Sequence, residues 1–181
     1  MKIISGKYRG RLLEGFNLDG TRPTMDRVKE SLFGMIQGYV VDSVVLDLFS
    51  GSGALGIEAI SEGAKYSYLV DSNSLAIKTI KKNIINIGID NVEVIKNDYK
   101  EVLKDFYNKN IKLDLIFLDP PYKTNYIEKS IELISKYDLL TDSGLIVCES
   151  DSLDKIIYPN TYIVSKDRKY GDKYIVILKK V

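Results

Sequence analysis

The sequence predicts an α/β fold with a mostly parallel sheet covered by helices on both faces, closed by an antiparallel hairpin and preceded by a small hairpin and a helix. Three observations carry this. From Val44 to Ser150, short apolar runs alternate with stretches of helical apolar spacing, the pattern of strands joined by helical crossovers. After Pro159, two alternating runs flank a Tyr-Gly-Asp turn and read as antiparallel. Before Gly38, the glycine-punctuated run KIISGKYRGRLL resembles a small β-hairpin and leads into RPTMDRVKESLFGMI. That second run is helical by its apolar positions Val28, Leu32, Phe33 and Ile36, with Thr24 expected as its N-cap.

Each element of the alternating region follows in turn. VVLDLF is the first strand, and GALGIEAISEGA its helix, with Leu55, Ile57, Ala59 and Ile60 inward and a stop near Gly63. YSYLVD is the second strand, followed by SLAIKTIKKNIINIG, which ends at Gly88. VEVIKND is the third, with a helix around Tyr99 to Tyr107 behind it. LDLIFLD is the fourth, YIEKSIELISKY the next helix and GLIVCES the fifth strand. A boundary near Gly38 to Asp42 divides an N-terminal extension, 1–38, from an α/β domain, 39–181.

Composition narrows the function. With 45% hydrophobic and 28% charged residues the chain is an ordinary globular one. One cysteine rules out an internal disulfide, and Cys148 sits in an apolar run as a core residue. No histidine is present, so histidine acid–base catalysis is excluded and no metal site is expected. No signal peptide or bilayer-length apolar run is seen, so the expected location is cytoplasmic, away from membranes. The net charge of +1 hides an asymmetry. Arg9, Arg11, Arg22 and Arg27 lie close together near the start, and planar guanidinium forks suit phosphate and base contacts.

GSGALG, Gly51 to Gly56, follows the first strand and opens a helix. This pattern alone fits NAD, FAD or S-adenosylmethionine. Gly51 and Gly53 permit a tight turn and close backbone approach to a ligand. Three acids refine the reading. Asp71 ends the second strand, where a carboxylate can accept both hydroxyls of a ribose. Asp98 ends the third, within reach of an adenine amine. Asp47 precedes the glycines, where a negative charge suits the cationic end of a methionine moiety. Together they favour S-adenosylmethionine over NAD, whose hydride chemistry also lacks an evident acid–base residue here.

At the end of the fourth strand stands Asp119-Pro120-Pro121-Tyr122. Neither proline has an N–H, so the turn offers acceptors and no main-chain donors at those positions, in a stiff backbone. Such a surface suits a group that donates twice, the exocyclic amine of a planar base. Asp119 would accept one N–H, the Pro120 carbonyl the other, and Tyr122 would stack on the ring for about 1–3 kcal/mol. Acceptors there favour the positive charge that grows as an aryl amine attacks a methyl group.

DLFSGSGALGIEAISEGA with LDPPY resembles a class I S-adenosylmethionine-dependent methyltransferase with a Rossmann-like fold. KIISGKYRGRLL and RPTMDRVKESLF narrow the resemblance to RsmD-type bacterial 16S rRNA (guanine-N2)-methyltransferases, over nearly the whole chain. The resemblance implies a seven-stranded sheet with an antiparallel seventh strand, and transfer to a guanine amine of 16S rRNA in the small ribosomal subunit; a monomer is expected. It assigns Asp47, Gly51, Gly53 and Asp71 to the cofactor and Asp119 to Tyr122 to catalysis. Arg9, Gly10 and Arg11, with Arg22, Pro23, Thr24 and Arg27, match the segments that meet RNA and cover the cofactor. One departure is Asn73, where many relatives carry a second acid. The tetrapeptide alone leaves N6-adenine methylation of DNA or RNA open, and a non-catalytic RNA-binding assembly factor would keep the same fold.

Overall fold

In the computed structural model, described for all residues except 16–21, 122–123 and 154–155 and without the side chains of 22–25, seven strands form one sheet in the order β3-β2-β1-β4-β5-β7-β6. The strands are β1 Val44–Asp47, β2 Tyr66–Asp71, β3 Val92–Lys96, β4 Leu113–Leu118, β5 Leu140–Ser150, β6 Tyr162–Tyr170 and β7 Lys173–Lys180. The helices are α1 Arg22–Ile36, α2 Ala54–Ser61, α3 Ser74–Ile87, α4 Tyr99–Asn108 and α5 Tyr126–Lys136, with a 3₁₀ turn at Gln37–Tyr39. Strands β1 to β5 run parallel, and β7 is antiparallel to both of its neighbours, β5 and β6. The antiparallel last strand is therefore inserted between β5 and β6. Among the described residues no helix is long and apolar enough to cross a membrane.

Strands buried on both faces have to be apolar throughout, and alternate residues of each strand feed two cores. Val45, Leu115, Phe117, Leu145, Val147, Ile175 and Ile177 pack under α1, α2 and α3. Leu46, Ile116, Leu118, Ile146, Cys148, Val176 and Leu178 pack against α4 and α5. Side chains set where the helices begin. The Asn73 Oδ1 accepts from the Leu75 and Ala76 N–H groups at the start of α3, and Gly88 closes it in the left-handed conformation.

One expectation needs correction. Thr24 is not the N-cap of the first helix, because α1 already begins at Arg22 and Thr24 lies in its first turn. Proline tolerates the first turn, where N–H groups have no helical partner, so Pro23 does not delay the start. The small N-terminal hairpin is present. Lys2 and Leu12 form its one antiparallel bridge, supported by bonds from Ile3 N–H to the Arg11 carbonyl and from Leu13 N–H to the Met1 carbonyl.

What fastens this segment is a buried carboxylate. Glu58 of α2, 0% exposed, accepts from the Ile4 and Ser5 N–H groups at 2.9 Å each and pairs with the 4%-exposed Lys29 of α1 at 2.7 Å. Lys29 also donates to the Lys2 carbonyl at 2.7 Å. Below it, Lys7 N–H bonds the Ser61 carbonyl and Tyr8 N–H the Ser61 hydroxyl. Ile3, Leu13, Val28, Leu32, Phe33 and Ile36 join the same core as β1 and β4, so the hairpin and α1 pack as part of the main body. Removing one member of a buried pair leaves the other charged and uncompensated. Glu58→Ala is therefore expected to cost about 3–5 kcal/mol in urea unfolding and to speed amide exchange at Ile4 and Ser5. A loss below about 1 kcal/mol would show the network to be dispensable.

Candidate active site

The loop after β1 turns sharply into α2. Gly51 and Gly53 take φ of +56° and +83°, a region that side chains avoid, and a Cβ at Gly51 would meet nothing within 4 Å. The third glycine serves packing instead. A Cβ at Gly56 would stand 2.1 Å from the Leu69 side chain, so α2 packs closely on β2 only without one. Asp71, at the end of β2, ties the loop down. Its Oδ2 accepts from Gly51 N–H at 2.9 Å and its Oδ1 from Asn73 N–H at 2.8 Å. A carboxylate has about four lone-pair sites, so acceptor capacity remains on both oxygens.

Asp47 lies beneath this loop, 1% exposed, with Oδ2 accepting from Gly56 N–H at 3.0 Å. Burial pushes its pKa up from 3.8 to about 6, opposed by the Gly56 N–H and Ser50, with a further upward push from Asp71. Asp98 is exposed and caps α4, its Oδ1 accepting from Lys100 N–H at 2.9 Å.

Sequence reading missed two supports. Buried Asn83 of α3 donates to the Ser52 carbonyl at 3.0 Å and exchanges bonds with the Glu14 backbone. It thereby links the glycine loop to the N-terminal segment. Phe49, Tyr99 and Tyr126 form an aromatic cluster with ring centroids 5.2–5.9 Å apart, at the ends of β1 and the starts of α4 and α5. The Tyr99 hydroxyl is buried and, among the described residues, has no hydrogen-bond partner. Three rings spread over residues 49 to 126 leave no local signal in sequence.

Asp119 follows β4 directly, beside the glycine loop that follows β1, because β1 and β4 pair in parallel with Asp47 opposite Phe117. It is partly exposed; Pro120 is buried and Pro121 exposed. Tyr122 lies outside the described residues. Desolvation raises the Asp119 pKa, and the Glu149 carboxylate raises it further while Lys173 opposes and Asp47 adds to it. Glu149, on β5, and Lys173, at the start of β7, form an ion pair that the sequence analysis did not single out.

The arginines separate. Arg9 and Arg27 are exposed and line a cleft of about 560 Å³ with Lys2, Ile3, Ile4, Gly10, Asp26 and Glu30. Arg11 instead donates to the Asn86 carbonyl in the last turn of α3, a helix-end contact. Arg22 lies in the first turn of α1, and its side chain, like that of Thr24, is outside the described residues. Among the described residues no group of three or more potential ligands stands close enough to hold a metal ion.

Comparison with known proteins covers nearly the whole chain. A family model described as conserved hypothetical protein 95 matches residues 1–179. The candidate rRNA methyltransferase YlbH of Bacillus subtilis is 38% identical over 184 residues, 99% of this chain and 99% of its own. The ribosomal RNA small subunit methyltransferase D of Buchnera aphidicola subsp. Acyrthosiphon pisum is 37% identical over 166 residues, 92% of this chain and 86% of that one. Among solved structures, the candidate methyltransferase yhhF from Escherichia coli aligns with a TM-score of 0.87 at 30% identity, over 99% of this chain and 97% of that one. The chain belongs to the conserved hypothetical protein 95 family, the family of the ribosomal RNA small subunit methyltransferase D proteins.

Proposed function

We propose that this protein transfers a methyl group from S-adenosylmethionine to the exocyclic N2 amine of a guanine in 16S rRNA of the small ribosomal subunit. The observation that carries it is that Asp119 and its two prolines directly follow β4, next to the glycine loop that follows β1. In this reading residues 39–181 perform the transfer and residues 1–38 meet the RNA, through Arg9 and Arg27 above all.

The donor set fits the adenosyl group. Asp71 retains acceptor capacity for two ribose hydroxyls, Gly51 leaves room for backbone approach, and Tyr99 offers a hydroxyl among aromatic rings that is unpartnered among the described residues. When bound, S-adenosylmethionine supplies an electrophilic methyl on a positively charged sulfur. Asp47 contributes negative charge on that side of the loop. Asp119 and the Pro120 carbonyl accept the two N–H groups of the amine. They thereby favour the charge that develops on nitrogen, which is a transition-state interaction more than a ground-state one. Holding nitrogen in line with the methyl contributes the remainder.

The test is a methyl-transfer assay on undermethylated small subunits, naked rRNA and duplex DNA, followed by nucleoside mass spectrometry. N2-methylguanosine formed mainly on subunits is expected; N6-methyladenine, or no transfer at all, would overturn the reading. Asp119→Ala is expected to lower turnover by roughly 100-fold or more with cofactor binding by calorimetry nearly unchanged. Asp47 sets a pH dependence. It has to be ionised to favour a cation, so affinity for S-adenosylmethionine should fall as pH drops below about 6, and Asp47→Asn should remove that dependence. Affinity for the neutral thioether product should change far less, and equal changes for both would contradict the charge argument. Arg9→Ala is expected to reduce the salt slope of RNA binding by about 1. Arg11→Ala should do less, because that guanidinium is engaged by α3.

A further inference from the structure

One face of the sheet carries a row of charged side chains along its C-terminal edge. Asp47 continues the row of Val45, Asp119 that of Leu115 and Phe117, and Glu149 that of Leu145 and Val147; Lys173 precedes Ile175 and Ile177. The two-residue period keeps each set on one face, here the face under α1, α2 and α3. Register orders them across the strands: Leu118 pairs with Cys148 and Glu149 with Ile175. Moving away from the glycine loop, the edge therefore reads acceptor, acceptor, donor. These are Asp119 after β4, Glu149 on β5 and Lys173 on β7. Glu149 and Lys173 pair directly, and both act on the charge of Asp119.

The Watson–Crick edge of guanine presents the complement in the same order: the N2 amine, the N1–H donor and the O6 acceptor. A carboxylate has about four lone-pair sites and an ammonium three N–H donors, so the partners that each already has do not exhaust it. The ion pair can thus remain intact while each member meets the base. Adenine would set its N1 lone pair against a carboxylate, which repels it. We propose that Glu149 and Lys173 are specificity-determining residues that read N1–H and O6 of the guanine whose amine rests on Asp119. This rests on the guanine-N2 reading above and adds what the tetrapeptide lacks, a reason for guanine over adenine. It requires the target base to be unpaired and out of its stack, as base-edge reading of RNA usually does.

The base analogue 2-aminopurine keeps the amine to be methylated but has a bare N1 and no O6. The experiment measures kcat/KM on small subunits reconstituted from rRNA carrying guanine or 2-aminopurine at the methylated position, introduced by splinted ligation. Wild type is expected to prefer guanine roughly 10- to 100-fold. Glu149→Ala and Lys173→Met should each lower the guanine value far more than the 2-aminopurine value, so that the preference collapses. Glu149→Gln, which keeps an acceptor oxygen, should retain much of it and covers the case that the alanine variant does not fold. Equal losses on both substrates, or no preference in wild type, would overturn the proposal. Failure of the underlying reading is seen separately, as absence of N2-methylguanosine from wild type on unmodified subunits.

Discussion

The buried Glu58 carboxylate is the constraint on which the arrangement turns. An isolated buried charge is costly, and Glu58 is acceptable only because Lys29 and two backbone N–H groups surround it. Those partners come from α1 and from the N-terminal hairpin, so the charge forces both onto α2. The same helix starts at the glycine loop, with Gly53 at its N-cap. A single eight-residue element thus carries the loop at one end and anchors the N-terminal segment along its body. Asn83 closes the circuit from the other side by bonding both the Ser52 carbonyl and the Glu14 backbone. A ligand at the loop and a partner on the hairpin would meet parts of one packed unit.

The C-terminal edge of the sheet concentrates negative charge for a related reason. Parallel strands all end at one edge, so acids placed at strand ends come together whatever their separation in sequence. Asp47, Asp119 and Glu149 occupy three such ends on one face, and burial raises the pKa of the first two. For Asp47 the sign is unfavourable at neutral pH. Its folded-state pKa is raised, so its contribution to stability is full below 3.8 and is lost as pH rises through about 6. A cation bound near the loop or a donating amine at Asp119 relieves that tension. Ligand binding and stability are therefore linked at this edge.

Local chemistry was legible in the sequence, and long-range pairing was not. The strand and helix alternation emerged because buried parallel strands are continuously apolar while the helices keep a polar face. Asp71 and Asp119 could be placed because each ends an apolar run, and the glycine loop because its turn needs glycine. Thr24 was misplaced as a cap because Thr and Pro both suit helix starts, and α1 begins two residues earlier. Arg11 looked equivalent to Arg9, yet its guanidinium meets Asn86 of α3, 75 positions away. Glu58 gave no signal in sequence, since its partner Lys29 and the hairpin N–H groups lie in another part of the chain. Glu149 and Lys173 gave no signal, because only strand order brings them beside Asp119.

That strand order has one further consequence. A parallel strand beside β5 would begin at the far edge of the sheet and bring only its last residue to the active edge. Because β7 is antiparallel, it begins there, and the turn from β6 arrives with it. Lys173 is delivered to Glu149, and three residues earlier Tyr170 meets Ser31 of α1. Arg168 donates to the same serine hydroxyl at 3.3 Å, and Lys166 to the Met35 carbonyl at 2.8 Å. The reversed strand therefore places a cation beside a row of carboxylates and clips the final hairpin to the helix that carries Arg27. No local run of sequence encodes that conjunction. It follows from one strand being inserted against the direction of its neighbours.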